Sequence, residues 1–153
     1  MNFVRASRPL LAAVFFVLVQ VTGCEKPPRD EVLIKQFNAE RESFNELLQL
    51  SRDYLSTHET LGVNEGGSEA QRLMKRLSVR YVYGTKDNVS FSRTGSQSAS
   101  YDEKGFEFVS PEGGIPPSED KIVDALDEIQ LNENEIKYKR LDDGWYLYLS
   151  RSD

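Results

Sequence analysis

The sequence predicts an α+β domain in which an antiparallel sheet of four to five strands packs against one long N-terminal helix and two shorter ones. Three features carry this expectation. Apolar side chains recur at helical steps between residues 30 and 56, the apolar period drops to two from residue 79, and the last strand pair brings its own turn at Asp142-Asp143-Gly144.

The elements follow in order. Asp30 stands where a helix N-cap belongs, and Leu33, Phe37, Phe44, Leu47, Leu48, Tyr54 and Leu55 then form one apolar stripe, predicting a continuous helix over 30–56. The stripe is too short in heptads for a coiled coil, so its expected partner is the domain's own sheet. Residues 57–67, with the lone His58 and Gly66-Gly67, read as a loop. Ser68 and Gln71 have capping-box spacing ahead of a short helix through Leu73, Met74 and Leu77. Val79, Tyr81 and Tyr83 alternate with Arg80 and Val82, and Val89 and Phe91 with Ser90 and Ser92, across a turn from Gly84 to Asn88. That pattern predicts a hairpin.

Residues 93–100 are Ser-rich, a loop or a weak edge strand, and Phe106 and Phe108 begin a third alternating run. The Pro and Gly residues at 111, 113, 114, 116 and 117 end it. Ser118 caps an expected third helix of about three turns, with Glu119 and Asp120 at its positive end and Ile122, Leu126 and Ile129 on one face. The final hairpin joins Ile136 to Leu141 with Trp145 to Ser150. Whether the two turn residues are Asp142-Asp143 or Asp143-Gly144, Ile136 and Tyr138 share a face with Trp145, Leu147 and Leu149, and Lys137 and Lys139 share the other with Tyr146 and Tyr148. The first face is the expected core. The second, Lys heads beside Tyr rings, is a solvent-tolerant surface and a candidate recognition patch.

The N-terminus is different material. Arg5 and Arg8 precede an apolar run from Leu10 to Val19, and Gln20, Thr22 and Gly23 lead to Cys24, the only cysteine of the chain. A positive segment, an apolar segment and small residues in that order describe a secretory signal, and the run is short of the roughly 20 residues that a membrane-spanning helix needs. Val21-Thr22-Gly23-Cys24 resembles the lipobox of bacterial lipoproteins. The resemblance implies cleavage before Cys24, a diacylglycerol on its thiol and an acyl chain on the new amino group. It divides the chain into a signal peptide (1–23), a lipidated cysteine with a Pro-rich tether (24–29) and one α+β domain (30–153). Glu25, in place of Asp, implies release to the outer membrane on its periplasmic face. One acyl chain binds membranes marginally and two or three hold firmly, so such a group is a sufficient anchor.

Loss of residues 1–23 takes two of the 19 basic side chains and none of the 25 acidic ones, leaving a domain of net charge about -8. An acidic chain with no basic stripe is a poor fit to nucleic acid. With Cys24 acylated no disulfide can form, and stability rests on the core.

A second resemblance lies in the C-terminal third. GFEFVSPEGGIPPSEDKIVDALDE, followed by YKRLDDGWYLYLS, is similar to the ending of a group of small bacterial proteins, often lipoproteins, most specifically in Gly144 to Tyr148. Phe106 and Phe108 stand where that group has tyrosines. The resemblance implies a shared α+β fold and transfers no catalytic role.

Signals for chemistry are sparse. A serine nucleophile lacks both a G-x-S-x-G turn and any imidazole other than His58. One cysteine and one histidine do not make a zinc site, Asp142-Asp143 and Glu133-Asn134-Glu135 lack EF-hand spacing, and Glu65-Gly66-Gly67-Ser68 lacks the lysine of a phosphate loop. The expectation is a membrane-anchored envelope lipoprotein without a cofactor other than its covalent lipid, acting as a non-catalytic binding or scaffolding module for an envelope protein. An inhibitor or immunity protein that steers a basic target by its acidic surface comes second, and a carboxylate-based envelope hydrolase third.

Overall fold

A computed structural model describes residues 27–93 and 101–152. The lipobox, the signal segment and nearly all of the Ser-rich stretch lie outside the described residues. The elements are α1 (Asp30–Ala39), α2 (Arg41–Leu55), β1 (Thr60–Gly62), α3 (Ser68–Leu77), β2 (Tyr81–Gly84), β3 (Asn88–Ser92), β4 (Tyr101–Val109), β5 (Ile136–Asp142) and β6 (Trp145–Ser152). The strands form one antiparallel sheet in the order β1-β2-β3-β4-β6-β5, with the helices on one face. The class is α+β as expected, with six strands in place of four or five. The additional strand is β1, three residues inside the expected loop, whose Leu61 is buried opposite Val82.

The long helix is broken at Glu40, where φ -116° and ψ 20° leave the helical region. Packing explains the bend. In a straight helix Phe37 and Phe44 would sit about 10 Å apart along the axis, seven residues at 1.5 Å each. Their ring centroids are 5.5 Å apart, and both rings pack on Phe106 and Trp145. The break at Glu40 redirects the chain so that Phe37 of α1 and Phe44 of α2 reach the same core rings. Arg41 holds the corner, with its guanidinium over Phe37 and paired with Asp142.

The third helix is also corrected: residues 118–129 contain one 3-10 turn, Glu119–Lys121. Ile122 and Val123 are captured by the sheet edge instead, Ile122 bridging in parallel to Tyr138 and Val123 N–H donating to Tyr138 C=O at 2.8 Å. β-Branched residues suit that extended path better than a helix. Gly67, not Ser68, occupies the N-cap of α3, and Asp30 lies inside α1 with its carboxylate committed elsewhere.

The inner face of the sheet carries Leu61, Val82, Val89, Phe91, Phe106, Trp145, Leu147 and Leu149 against Leu33 and Phe37 of α1, Phe44, Leu47 and Leu48 of α2, and Leu73, Met74 and Leu77 of α3. No helix among the described residues is long and apolar enough to cross a membrane.

Candidate functional site

The register of the last hairpin decides which side chains meet. A bulge between Arg140 and Asp142 shifts β5 by one residue, so Tyr138 lies opposite Tyr148, Lys139 opposite Leu147 and Lys137 opposite Leu149. One extra residue moves the whole strand's side chains to the other face. Lys137 and Lys139 therefore share the helix side with Leu147 and Leu149, and Tyr146 and Tyr148 share the outer side with Tyr138 and Arg140. The expected patch of Lys137, Lys139, Tyr146 and Tyr148 is not one surface. Both lysines reach back to main-chain carbonyls, Lys137 Nζ to Asp120 at 3.2 Å and Lys139 Nζ to Asp124.

The outer face holds a different cluster. Alternation along the ladder places Tyr81 and Tyr83 of β2, Ser90 and Ser92 of β3, Glu103, Gly105 and Glu107 of β4, Tyr146 and Tyr148 of β6 and Tyr138 of β5 on one side. Tyr148, 1% exposed, lies across Gly105, where a Cβ would meet the Tyr148 ring at 2.7 Å and Phe91 C=O at 2.5 Å. The missing side chain makes room for the ring. Beyond Gly105 the Tyr148 hydroxyl donates to Glu103 Oε1 at 2.5 Å and lies 3.2 Å from the Tyr83 hydroxyl. A phenol has one proton, and with that of Tyr148 given to the carboxylate, Tyr83 is the donor between the two.

Glu107 sits two residues beyond Gly105, 9% exposed, and accepts from Ser90 Oγ at 3.4 Å. Tyr138 meets Tyr146 edge to face, with centroids 6.1 Å apart. Among the described residues no lysine or arginine pairs with Glu103 or Glu107, and Arg140, on the same face, pairs with Glu119 at 3.5 Å. Burial raises the Glu107 carboxyl, partly offset by Asn88, Tyr138 and Ser90. Tyr83, about a third exposed as a whole residue, is pushed up to about 12 by burial and then by the charge of Glu103. Burial, followed by the Glu107 charge, raises Tyr138, and burial, followed by Tyr83 and Glu103, raises Tyr148. The phenols stay protonated at neutral pH. The face is thus a set of neutral hydroxyl donors and aromatic rings around two carboxylates.

A carboxyl whose folded value is raised above its unfolded 4.5 supports the fold below that value and loses that support as pH rises through the folded value. Glu107→Gln is accordingly expected to melt higher than wild type at pH 7.5, with the difference closing at pH 4. Melting curves of both proteins at the two pH values check it; an unchanged or lower Tm at pH 7.5 counts against a buried, cation-free carboxylate.

A second charged cluster lies on the helix side. Lys104, 2% exposed in the first half of β4, places its Nζ 2.6 Å from Asp30 Oδ1, 2.5 Å from Asp127 Oδ1 and 3.1 Å from Pro28 C=O. Asp30 Oδ1 makes this ion pair without an aligned hydrogen bond, and Asp30 Oδ2 accepts from Leu126 N–H at 2.7 Å. The Asp30 N–H donates to both oxygens of Asp127, at 3.1 and 3.0 Å. Burial pushes the Asp127 carboxyl up, but the Lys104 hydrogen bond, the Asp30 N–H and the charges of Lys104 and Arg29 together bring it below its ordinary value. Lys104 thereby joins the start of the domain, a central strand and the 125–128 loop.

His58 is exposed and stacked on Tyr54, with centroids 4.1 Å apart, and its Nδ1 is 3.2 Å from Tyr54 C=O. Among the described residues no group of three or more His, Cys, Asp or Glu is placed to hold a metal. Cys24, Val21, Thr22 and Gly23 lie outside the described residues. Sequence reasoning missed Glu103, Glu107 and Lys104. All three carried a parity signal: Glu103 and Glu107 share strand parity with Gly105, and Lys104 shares that of Phe106 and Phe108.

Comparison with family models, curated proteins and solved structures finds no match to the chain. The functional reading rests on its own residues.

Proposed function

We propose that this protein is a cell-envelope lipoprotein, anchored through Cys24, that acts as a non-catalytic binding module and presents the outer face of its sheet to a basic partner protein. The observation that carries the binding reading is the pairing of Glu103 and Glu107, without a cation among the described residues, with the tyrosines around them. Partner Lys or Arg side chains suit such a face twice over, as counter-charges for the half-buried Glu103, with the buried Glu107 adding negative potential behind it, and as cations over the exposed rings of Tyr81 and Tyr83. An acidic domain also attracts a basic partner at long range. An inhibitor or immunity protein is the special case in which the partner is a basic enzyme.

The test is a photo-cross-linking side chain placed at Tyr81 in intact cells, with a second placed at Glu46 on the exposed side of α2 as the control. The reading expects an adduct from position 81 alone that disappears in Glu103→Gln/Glu107→Gln and in spheroplasts washed with high salt. Equal capture from both positions, or capture indifferent to the two carboxylates, contradicts it.

A further inference from the structure

The two ends of the sheet differ in how the chain enters and turns. At one end lie Lys104 in the first half of β4, Arg151 near the end of β6, and the 125–131 segment, joined by Lys104 to Asp127 and Arg151 to Leu131 C=O at 2.6 Å. At the other end lie Val109, the 110–117 loop, the β2–β3 turn and Gly144. They are tied by Val109 N–H to Gly144 C=O at 2.7 Å, Ser110 N–H to Asp87 C=O at 2.7 Å, and the Asn88 side chain to both polar groups of the Ile115 main chain at 3.0 and 3.1 Å. Five residue steps along β4 take the chain from Lys104 to Val109, roughly 17 Å of extended strand.

The chain leaves the domain at the first end, and it does so from a fixed point. Pro28 C=O accepts from the buried Lys104, Asp30 is clasped by Lys104, Asp127 and Leu126 N–H, and α1 begins at once. Cys24 is four residues before Pro28. However those residues run, they reach no farther than about 14 Å. A tether that short, ending on a rigid clasp, cannot let the domain tumble freely above a bilayer.

Resting on the lipoprotein reading above, we infer that the Lys104–Asp30–Asp127 clasp fixes the orientation of the domain on the membrane. The surface around Arg29, Glu31, Asp127 and Glu128 meets phospholipid headgroups, and the Ile115 loop points away. This surface is a shallow hollow of about 440 Å3 with Lys139 on its rim. It offers cations from Arg29 and Lys139 and anions from Glu31 and Glu128, a mixed pattern suited to the phosphate and ammonium of a zwitterionic headgroup. The bilayer is the one occupant the tether brings within reach. The opposite pole presents Ile115, 81% exposed on its pinned loop, to the periplasmic side.

Acylated Cys24 leaves no other thiol in the mature chain, so Glu128→Cys and Ile115→Cys each supply a single labelling site. The lipidated protein, carrying an environment-sensitive fluorophore at one site or the other, is reconstituted in vesicles of phosphatidylethanolamine and phosphatidylglycerol that contain a headgroup-attached nitroxide quencher. The inference expects most of the fluorescence at 128 to be lost and almost none at 115. Inserting roughly ten Gly and Ser residues after Lys26, a flexible stretch, is expected to abolish the difference while binding persists. Vesicle-bound protein quenched equally at the two sites, or more at 115, overturns the orientation and leaves the lipid anchor standing. Protein that fails to float with the vesicles overturns the anchor and the orientation together.

Discussion

Lys104→Met is expected to lower stability by about 3–5 kcal/mol, since removal of one partner strands the remaining buried charge. Lys104 and Asp30 are both nearly inaccessible, and Nζ is the group that neutralises Asp30 and satisfies Pro28 C=O. In a domain of this size that corresponds to a fall in Tm of roughly 10 °C or more. The triple variant Lys104→Met, Asp30→Asn, Asp127→Asn is expected to recover much of the loss, because amide oxygens can still accept from the Leu126 and Asp30 N–H groups and no buried charge is left. Thermal melts of the single and triple variants decide it, and a single variant that melts like wild type would mean that Lys104 is solvated. The wild-type clasp has a pH signature too. Asp127, with its carboxyl held low, contributes stability above its unfolded value of 3.8 and loses it as pH falls below that, a dependence the triple variant lacks.

Phe44→Ala is the other large effect, about 3–5 kcal/mol for truncation of a fully buried aromatic ring. The Phe44 ring touches Phe37, Phe91, Phe106 and Trp145 at centroid distances of 4.7 to 6.2 Å. Phe44 lies just beyond the break at Glu40, which places it against the same rings as Phe37. Denaturant unfolding of Phe44→Ala should show a lower midpoint with a similar slope, and a near-neutral result would remove the reason given for the bend.

Much of this fold was legible in the sequence because local pattern and burial agree. The β2–β3 hairpin, α3 and the two strands of the final hairpin lie where alternation and turn residues put them. The failures occurred where tertiary contacts overrode a local period. The stripe from Leu33 to Leu55 is helical throughout, and nothing local at Asn38-Ala39-Glu40-Arg41 announces a bend that serves rings on either side. Ile122, Leu126 and Ile129 have helical spacing, yet Tyr138 holds the start of that segment at the sheet edge and Asp30 captures Leu126 N–H. The Lys137/Lys139 patch failed for the smallest reason, one bulge residue that reverses a whole strand. The outer tyrosine and glutamate cluster draws on β2, β3, β4, β5 and β6, so strand order had to be known before its members could be gathered.

The proposed function depends on anchorage of the domain to the membrane through Cys24. The most direct test is the intact mass of the protein purified from bacterial membranes, with and without globomycin. Lipid anchoring predicts a mature chain beginning at Cys24 with diacylglycerol and acyl mass on that residue, and accumulation of the uncleaved precursor under globomycin. A soluble mature chain with an unmodified Cys24, processed alike in both conditions, contradicts it.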